Sequence, residues 1–142
     1  PEQQAFANEL KRKIAAAGLQ SRIVITGELA IEDVQRWYRR LTIYAFTSRN
    51  EGFGLTLIEA MAAGNALVAS RAGAAEFVVE DGITGVLTLP GDVDALVDAL
   101  EPLIREPAMA AAMGERARAR VLDKFSLDAE ANAIADVYRR LI

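Results

Sequence analysis

Apolar residues recur along this chain with two different periods, and the alternation between those periods predicts its architecture. Phe6, Leu10 and Ile14 fall four residues apart. Pro1 suits a helix start and Gly18 a helix stop, so the first segment reads as an amphipathic helix. Arg22 to Thr26 (RIVIT) is short, β-branched and closed by Gly27, the pattern of a strand that ends in a loop. Ile31 to Arg40 reads as a helix and Leu41 to Thr47 (LTIYAFT) as a second buried strand. A glycine-bearing loop follows, then a helix from Leu55 to Ala63 with Gly64 as its C-terminal cap. Ala66 to Ser70 (ALVAS) gives a third strand, Ala74 to Glu80 a short helix, Asp81-Gly82 a turn, and Gly85 to Leu89 (GVLTL) a fourth strand. From Asp92 to Arg105, Pro107 to Lys124 and Leu127 to Ile142 three helical patterns follow with no strand between them.

Short apolar strands separated by helices predict an α/β fold: a mostly parallel sheet with helices on both faces, ending in a helical C-terminal segment, because parallel strands need crossover connections. In such sheets ligands sit outside the carboxyl ends of the strands. That directs attention to the loops after Thr26, Thr47, Ser70 and Leu89.

Composition narrows the chemistry. The chain has 142 residues, 52% of them hydrophobic, enough for one sizeable core. A formal charge of -4 argues against a nucleic-acid partner, which normally calls for a basic patch. Cysteine and histidine are both absent. Thiolate metal sites are thereby excluded, and so is the side chain best suited to act as a general base near neutrality. No apolar run approaches the roughly 20 residues that span a bilayer, so direct membrane insertion by this segment is not expected. A start at Pro1 that goes straight into helical periodicity reads as a domain of a longer protein.

The loop after the second strand carries the chemistry. Ser48-Arg49-Asn50-Glu51-Gly52-Phe53-Gly54-Leu55-Thr56 runs from a strand end through two glycines into a helix start. Glycines admit a close backbone approach, and free amides at a helix N-terminus favour phosphate or another anion. Glu51 and Glu59 flank this segment. Either they hold one extended ligand at two points, or Glu51 merely complements the helix dipole and Glu59 is an ordinary surface glutamate. The apolar, Ala-rich surroundings of Glu59 suggest a carboxylate facing the interior, which would need a hydrogen-bonding partner. Asp92-Val93-Asp94 has the spacing of a metal-binding Asp-x-Asp, but its Pro-Gly-Asp setting reads as a helix N-cap. No metal is therefore expected. Glu76 reads as a brace for the loop after the third strand, Trp37 as core, and Arg116, Arg118 and Arg120 as a solvated helix face.

Glu51 to Glu59, two glutamates with seven residues between them and Gly-Phe-Gly-Leu after the first, resembles the motif of the retaining, nucleotide-sugar-dependent glycosyltransferases of group 1. Glu59-Ala60-Met61-Ala62-Ala63-Gly64-Asn65-Ala66-Leu67-Val68-Ala69 resembles the run that follows in that family. Glu80-Asp81-Gly82-Ile83-Thr84-Gly85 and Leu89-Pro90-Gly91-Asp92 resemble its later turns, and Phe125-Ser126 its break before a last helix. Trp37-Tyr38-Arg39-Arg40-Leu41 and Val137-Tyr138-Arg139-Arg140-Leu141 are similar to lipopolysaccharide core mannosyltransferases.

The resemblance implies a Rossmann-like C-terminal domain of the GT-B fold over residues 1–124, incomplete at its N-terminus, with a crossover helix at 125–142. It implies that Glu51 is catalytic and lies near the transferred sugar, that Gly52, Phe53, Gly54, Leu55 and Thr56 present backbone to sugar or diphosphate, and that Glu59 accepts from the ribose hydroxyls. Gly27, Glu28 and Leu29 would flank the nucleobase. The implied reaction is metal-independent hexosyl transfer, mannosyl favoured, with retention of configuration, from a nucleotide diphosphate sugar (GDP-mannose favoured) to a saccharide or lipid-linked acceptor. No cofactor is implied. The implied partner is an N-terminal acceptor-binding domain of the same protein, and the implied location is the cytoplasm, with peripheral attachment to the inner face of the membrane. Two other readings stand beside this one at the level of sequence: a non-catalytic nucleotide-sugar binding module, and a sugar-nucleotide epimerase of the same architecture.

Overall fold

The computed structural model describes residues 2–141. They divide into two compact units, with the boundary between Asp33 and Val34. The first unit contains helix α1 (Glu2–Ala16) and an extended segment. Helix α2 (Ile31–Arg40) runs across the boundary. The second unit continues with β1 (Ile43–Phe46), α3 (Leu55–Ala62), β2 (Ala66–Ser70), α4 (Ala75–Val78), β3 (Val86–Thr88), α5 (Val93–Arg105), α6 (Pro107–Lys124) and α7 (Leu127–Leu141).

RIVIT departs from the sequence expectation. Residues 22–26 are in no strand, and Val24 is 73% exposed. A β-branched run becomes a strand only when a neighbour takes up its amides and carbonyls. Within residues 1–33 the other regular element is a helix, so no ladder forms. Ile23 and Ile25 instead share a shallow groove with Lys11 and Ile14 of α1, and Ile23 N–H donates to the Leu19 carbonyl at 3.1 Å.

The other three strands form a parallel sheet in the order β1-β2-β3. Val68 pairs with Val86 and Ser70 with Thr88; Ile43 pairs with Ala66 and Phe46 with Ala69. All of β2 is buried, as befits a central strand covered on both faces. Its alternation sorts two core layers. Leu67 and Ala69 join Phe46 and Leu87 against Leu57 and Met61 of α3, Ala75 and Val78 of α4, and Ala117 and Val121 of α6. Ala66 and Val68 join Ile43 and Val86 against Leu96, Leu100 and Leu103 of α5 and Ala110 and Met113 of α6.

Helix α6 thus serves both layers, and Gly114 is where it passes between them. A Cβ at Gly114 would lie 2.0 Å from the Gly64 carbonyl oxygen, so the helix approaches that backbone as closely as it does because no side chain intervenes. Gly64 itself ends α3. Its N–H donates to the Met61 carbonyl at 2.9 Å and Asn65 N–H to the Ala60 carbonyl at 3.1 Å, the paired bonds of a Schellman motif, with Gly64 at φ +84°. Asp92 caps α5 as its sequence setting predicts: its Oδ1 accepts from Ala95 N–H at 2.9 Å.

Two surface expectations are corrected. Trp37 is 37% exposed rather than core, with the Arg40 guanidinium 5.5 Å from its ring centroid. Arg116 and Arg120 are not simply solvated. Arg116 donates to the Ile83 carbonyl at 2.8 Å, and Arg120 to the Val78 and Phe77 carbonyls at 2.9 and 3.0 Å, tying α6 to the α4 region. Arg118 is exposed. No helix among the described residues is long and apolar enough to cross a membrane.

Candidate functional site

The segment 47–56 leaves the carboxyl end of β1 and enters α3 through Gly54, which sits in the left-handed region at φ +78°, ψ +46°. No side chain caps α3. Leu57 N–H is taken up by the Gly54 carbonyl at 2.9 Å, whereas the amides of Leu55 and Thr56 have no hydrogen-bond partner among the described residues. Two free amides at the positive end of a helix, in a loop with exposed Gly52 and Phe53, make a place for an anionic or hydroxyl-bearing group.

Glu51 is half-buried and folds over its own loop, its Oε1 accepting from Gly52 N–H at 3.1 Å. The Gly52 amide is therefore already occupied, unlike those of Leu55 and Thr56. Glu59 is exposed, which corrects the expectation of an inward-facing carboxylate. Helix phase explains the difference. The buried residues of α3 are Leu57, Ala60 and Met61, and Glu59 falls outside that stripe despite the apolar composition around it. Its neighbour is the buried Tyr38, whose phenol is pushed above its ordinary range, first by burial and then by Tyr44 and the Glu59 carboxylate. The Tyr38 and Tyr44 rings meet edge-on at 5.6 Å.

Sequence reading missed the second wall of this site. Gly73, at φ +56°, lies directly behind the Glu51 loop: a Cβ there would stand 1.8 Å from the Glu51 carbonyl oxygen and 3.0 Å from that of Gly52. Ala74 N–H donates to the Gly52 carbonyl at 3.3 Å. The stretch that carries Gly73 is held from both sides. Arg71 donates to Glu76 at 2.8 Å and to Asp81 at 2.5 Å, and its backbone N–H to the Thr88 carbonyl at 2.8 Å. Glu76 thus braces the loop as its position suggests, and its hydrogen bond is the main reason the Arg71 guanidinium holds its proton more firmly than usual. The other Asp81 oxygen accepts from Leu87 N–H at 2.9 Å, extending the clamp to β3. The available signal was a glycine three residues after a predicted strand, which does not reveal what it packs against.

Residues 51–59 are thus brought together as one continuous loop and helix start. Gly27, Glu28 and Leu29 belong to the other compact unit, where Gly27 adopts φ +67° and Glu28 is exposed.

Comparison with known proteins supplies the context. The family model for glycosyl transferases group 1 matches residues 3–120. A lipopolysaccharide core biosynthesis mannosyltransferase from Rhizobium leguminosarum bv. viciae is 49% identical over 97% of the chain, and a D-inositol 3-phosphate glycosyltransferase from Mycolicibacterium paratuberculosis is 35% identical over 97%. The chain spans 39% of the first of these relatives and 31% of the second. Among solved structures, the C-terminal domain of a glycosyl transferase group 1 family protein from Francisella tularensis superposes with a TM-score of 0.84 at 32% identity, covering 89% of this chain and 66% of that one. The Anabaena HepE protein in complex with UDP gives a TM-score of 0.85 at 29% identity, covering 98% and 38%.

Proposed function

The chain belongs to the group 1 glycosyl transferases, and from that membership we propose that it is the donor-binding part of a metal-independent enzyme that transfers a hexosyl group, mannosyl favoured, from a nucleotide diphosphate sugar. The observation that carries this reading is the uncapped start of α3, with the Leu55 and Thr56 amides free at the carboxyl end of β1 and a carboxylate on either side. On this reading the loop Gly52-Phe53-Gly54 and those amides receive sugar hydroxyls or diphosphate, Glu51 lies beside the transferred sugar, and Glu59 accepts from the ribose hydroxyls. An exposed Glu59 is open to such donors. Gly27, Glu28 and Leu29 are assigned to the nucleobase.

The reaction proposed is substitution at the anomeric carbon with retention. The bond from that carbon to the diphosphate oxygen breaks, an acceptor hydroxyl forms the new bond on the same face, and its proton passes to the departing diphosphate. Amides that are fixed before the reaction stabilise the charge that develops on the leaving group without reorganising. The acceptor, a saccharide or lipid-linked saccharide, would meet the sugar on an N-terminal domain of the full-length protein, working in the cytoplasm at the inner face of the membrane. Residues 125–142 are assigned to a helix that crosses to that domain. A HepE structure bound to UDP and a close lipopolysaccharide core mannosyltransferase relative support the donor class and the favoured sugar.

Calorimetric titration with GDP, UDP, ADP and GDP-mannose, repeated on Glu59→Ala, tests the assignment. Binding of one nucleotide that the variant loses is the expected result. Equal binding by both proteins overturns the role given to Glu59, and no binding at millimolar concentration by the full-length protein overturns the site.

A further inference from the structure

The carboxyl ends of the three strands carry a second feature, separate from the Glu51 loop. Ser70 ends β2 and Thr88 ends β3, and the two are paired in register. Thr47 follows β1 directly, one step beyond the Phe46–Ala69 pair, which brings it level with Ser70. Strand alternation puts all three on the face that carries Ile43, Ala66, Val68 and Val86, so a row of hydroxyls continues an apolar core layer. Ser70 is 4% and Thr88 7% exposed, and neither hydroxyl has a hydrogen-bond partner among the described residues. Both line a cleft of about 220 Å³ between the strand ends and the first turn of α5, so their hydroxyls are available to an occupant.

The rest of the lining indicates what fits. Arg49 reaches over the cleft toward Gly91, its guanidinium 3.6 Å from where a Cβ would stand there, and forms no ion pair among the described residues. Asp92 contributes a carboxylate, and Leu89, Val93 and Leu96 contribute an aliphatic wall. An anion is poorly served, because the Asp92 carboxylate already occupies the α5 N-terminus and opposes the single cation. A neutral polyol suits every group present: its hydroxyls accept from Arg49, donate to Asp92 and exchange bonds with Ser70 and Thr88, while its C–H face lies on the leucines. The volume falls below the roughly 300–1,000 Å³ of pockets that engulf drug-sized ligands, which limits the occupant to about one sugar ring.

We propose that this cleft is a binding subsite for a single sugar residue, formed by Thr47, Ser70, Thr88, Arg49 and Asp92. It is distinct from the nucleotide loop and stands whether or not that loop binds a nucleotide. The test is a titration of the isotopically labelled chain, followed by amide NMR shifts, with methyl α-D-mannopyranoside, methyl α-D-glucopyranoside, sodium phosphate and GDP added separately. A hexoside is expected to move the amides of Thr47, Ser70, Thr88 and Gly91 to Val93 with an affinity in the millimolar range. The Ser70→Ala/Thr88→Val double variant should bind about tenfold more weakly. Should that variant lose its dispersed spectrum, Arg49→Gln, which alters only an exposed side chain, is expected to show the same weakening. The subsite is overturned if neither hexoside shifts these amides at tens of millimolar, if phosphate shifts them more strongly, or if the folded variants bind as the parent does. GDP reports on the loop at residues 51–59 alone, so failure of the donor assignment is read separately.

Discussion

Gly73→Ala is the substitution that most directly tests whether the second wall holds the Glu51 loop in place. Gly73 and Gly82 both have positive φ, +56° and +75°, but only Gly73 has a close neighbour: a Cβ there meets the Glu51 carbonyl oxygen at 1.8 Å, while a Cβ at Gly82 meets nothing within 4 Å. Gly82→Ala therefore isolates the backbone term, roughly 1–2 kcal/mol for a Cβ-bearing residue in the left-handed region. Gly73→Ala carries the same cost and a contact that no rotamer relieves. The Glu51–Gly52 backbone must retreat by about 1.5 Å to reach an ordinary van der Waals separation. That movement breaks the bond from Ala74 N–H to the Gly52 carbonyl, which contributes about 1 kcal/mol. With local strain added, the total comes to about 3–4 kcal/mol. At about 4 °C per kcal/mol for a unit of this size, melting should fall by roughly 12–16 °C for Gly73→Ala and 4–8 °C for Gly82→Ala. Thermal unfolding by circular dichroism measures the difference, and nucleotide titration below the melting temperature should find binding lost in Gly73→Ala and kept in Gly82→Ala. If the two variants melt within about 3 °C of each other and bind alike, the Gly73 contact does not position the loop.

Gly114→Ala should destabilise by about 2 kcal/mol in denaturant titration even though alanine is the better helix former by about 1 kcal/mol, because its Cβ would stand 2.0 Å from the Gly64 carbonyl oxygen. Asn65→Ala should cost roughly 2–3 kcal/mol in the same assay, since the buried Asn65 amide donates to the Tyr38 and Leu41 carbonyls at 2.9 and 2.8 Å. Tyr38 gives a pH dependence: its phenol is raised in the folded state, so its contribution is fully present below the unfolded value near 10 and declines as pH rises above it. Tyr38→Phe should flatten that alkaline decline, of up to about 1.4 kcal/mol per pH unit, when denaturation midpoints at pH 8 and above pH 10 are compared.

What the sequence revealed depended on whether the deciding interactions were local. Helix starts and stops were legible because they are set within a few residues: Asp92 caps α5, Gly64 ends α3, and Pro107 opens α6. The apolar runs LTIYAFT, ALVAS and GVLTL lie in the sheet because each has a neighbour within the second unit. RIVIT has the same composition and is in no strand, since composition reports suitability for a ladder and pairing depends on what stands alongside. The inward orientation expected of Glu59 failed for a related reason. An apolar neighbourhood in sequence is not a neighbourhood in space, and the phase of Leu57, Ala60 and Met61 turns Glu59 outward.

The same distinction separates the two candidate sites. The Glu51 loop could be read directly because its glycines, its carboxylates and its helix start are consecutive, so local geometry alone assembles them. The hydroxyl row could not, because Thr47, Ser70 and Thr88 are separated by 23 and 18 positions and meet only through sheet register. Yet its components were in view: β2 and β3 close on Ser70 and Thr88, and Thr47 follows β1 directly, in YAFT, LVAS and VLT. A single such ending is ordinary, since hydroxyl residues suit the point where a strand leaves its core. Three in parallel and in register place their hydroxyls side by side at the edge where α/β sheets bind ligands, and all three line the same cleft. Parallel topology therefore turns a feature unremarkable in any one strand into a surface with a single chemistry, and that surface is where binding should be sought beyond the Glu51 loop.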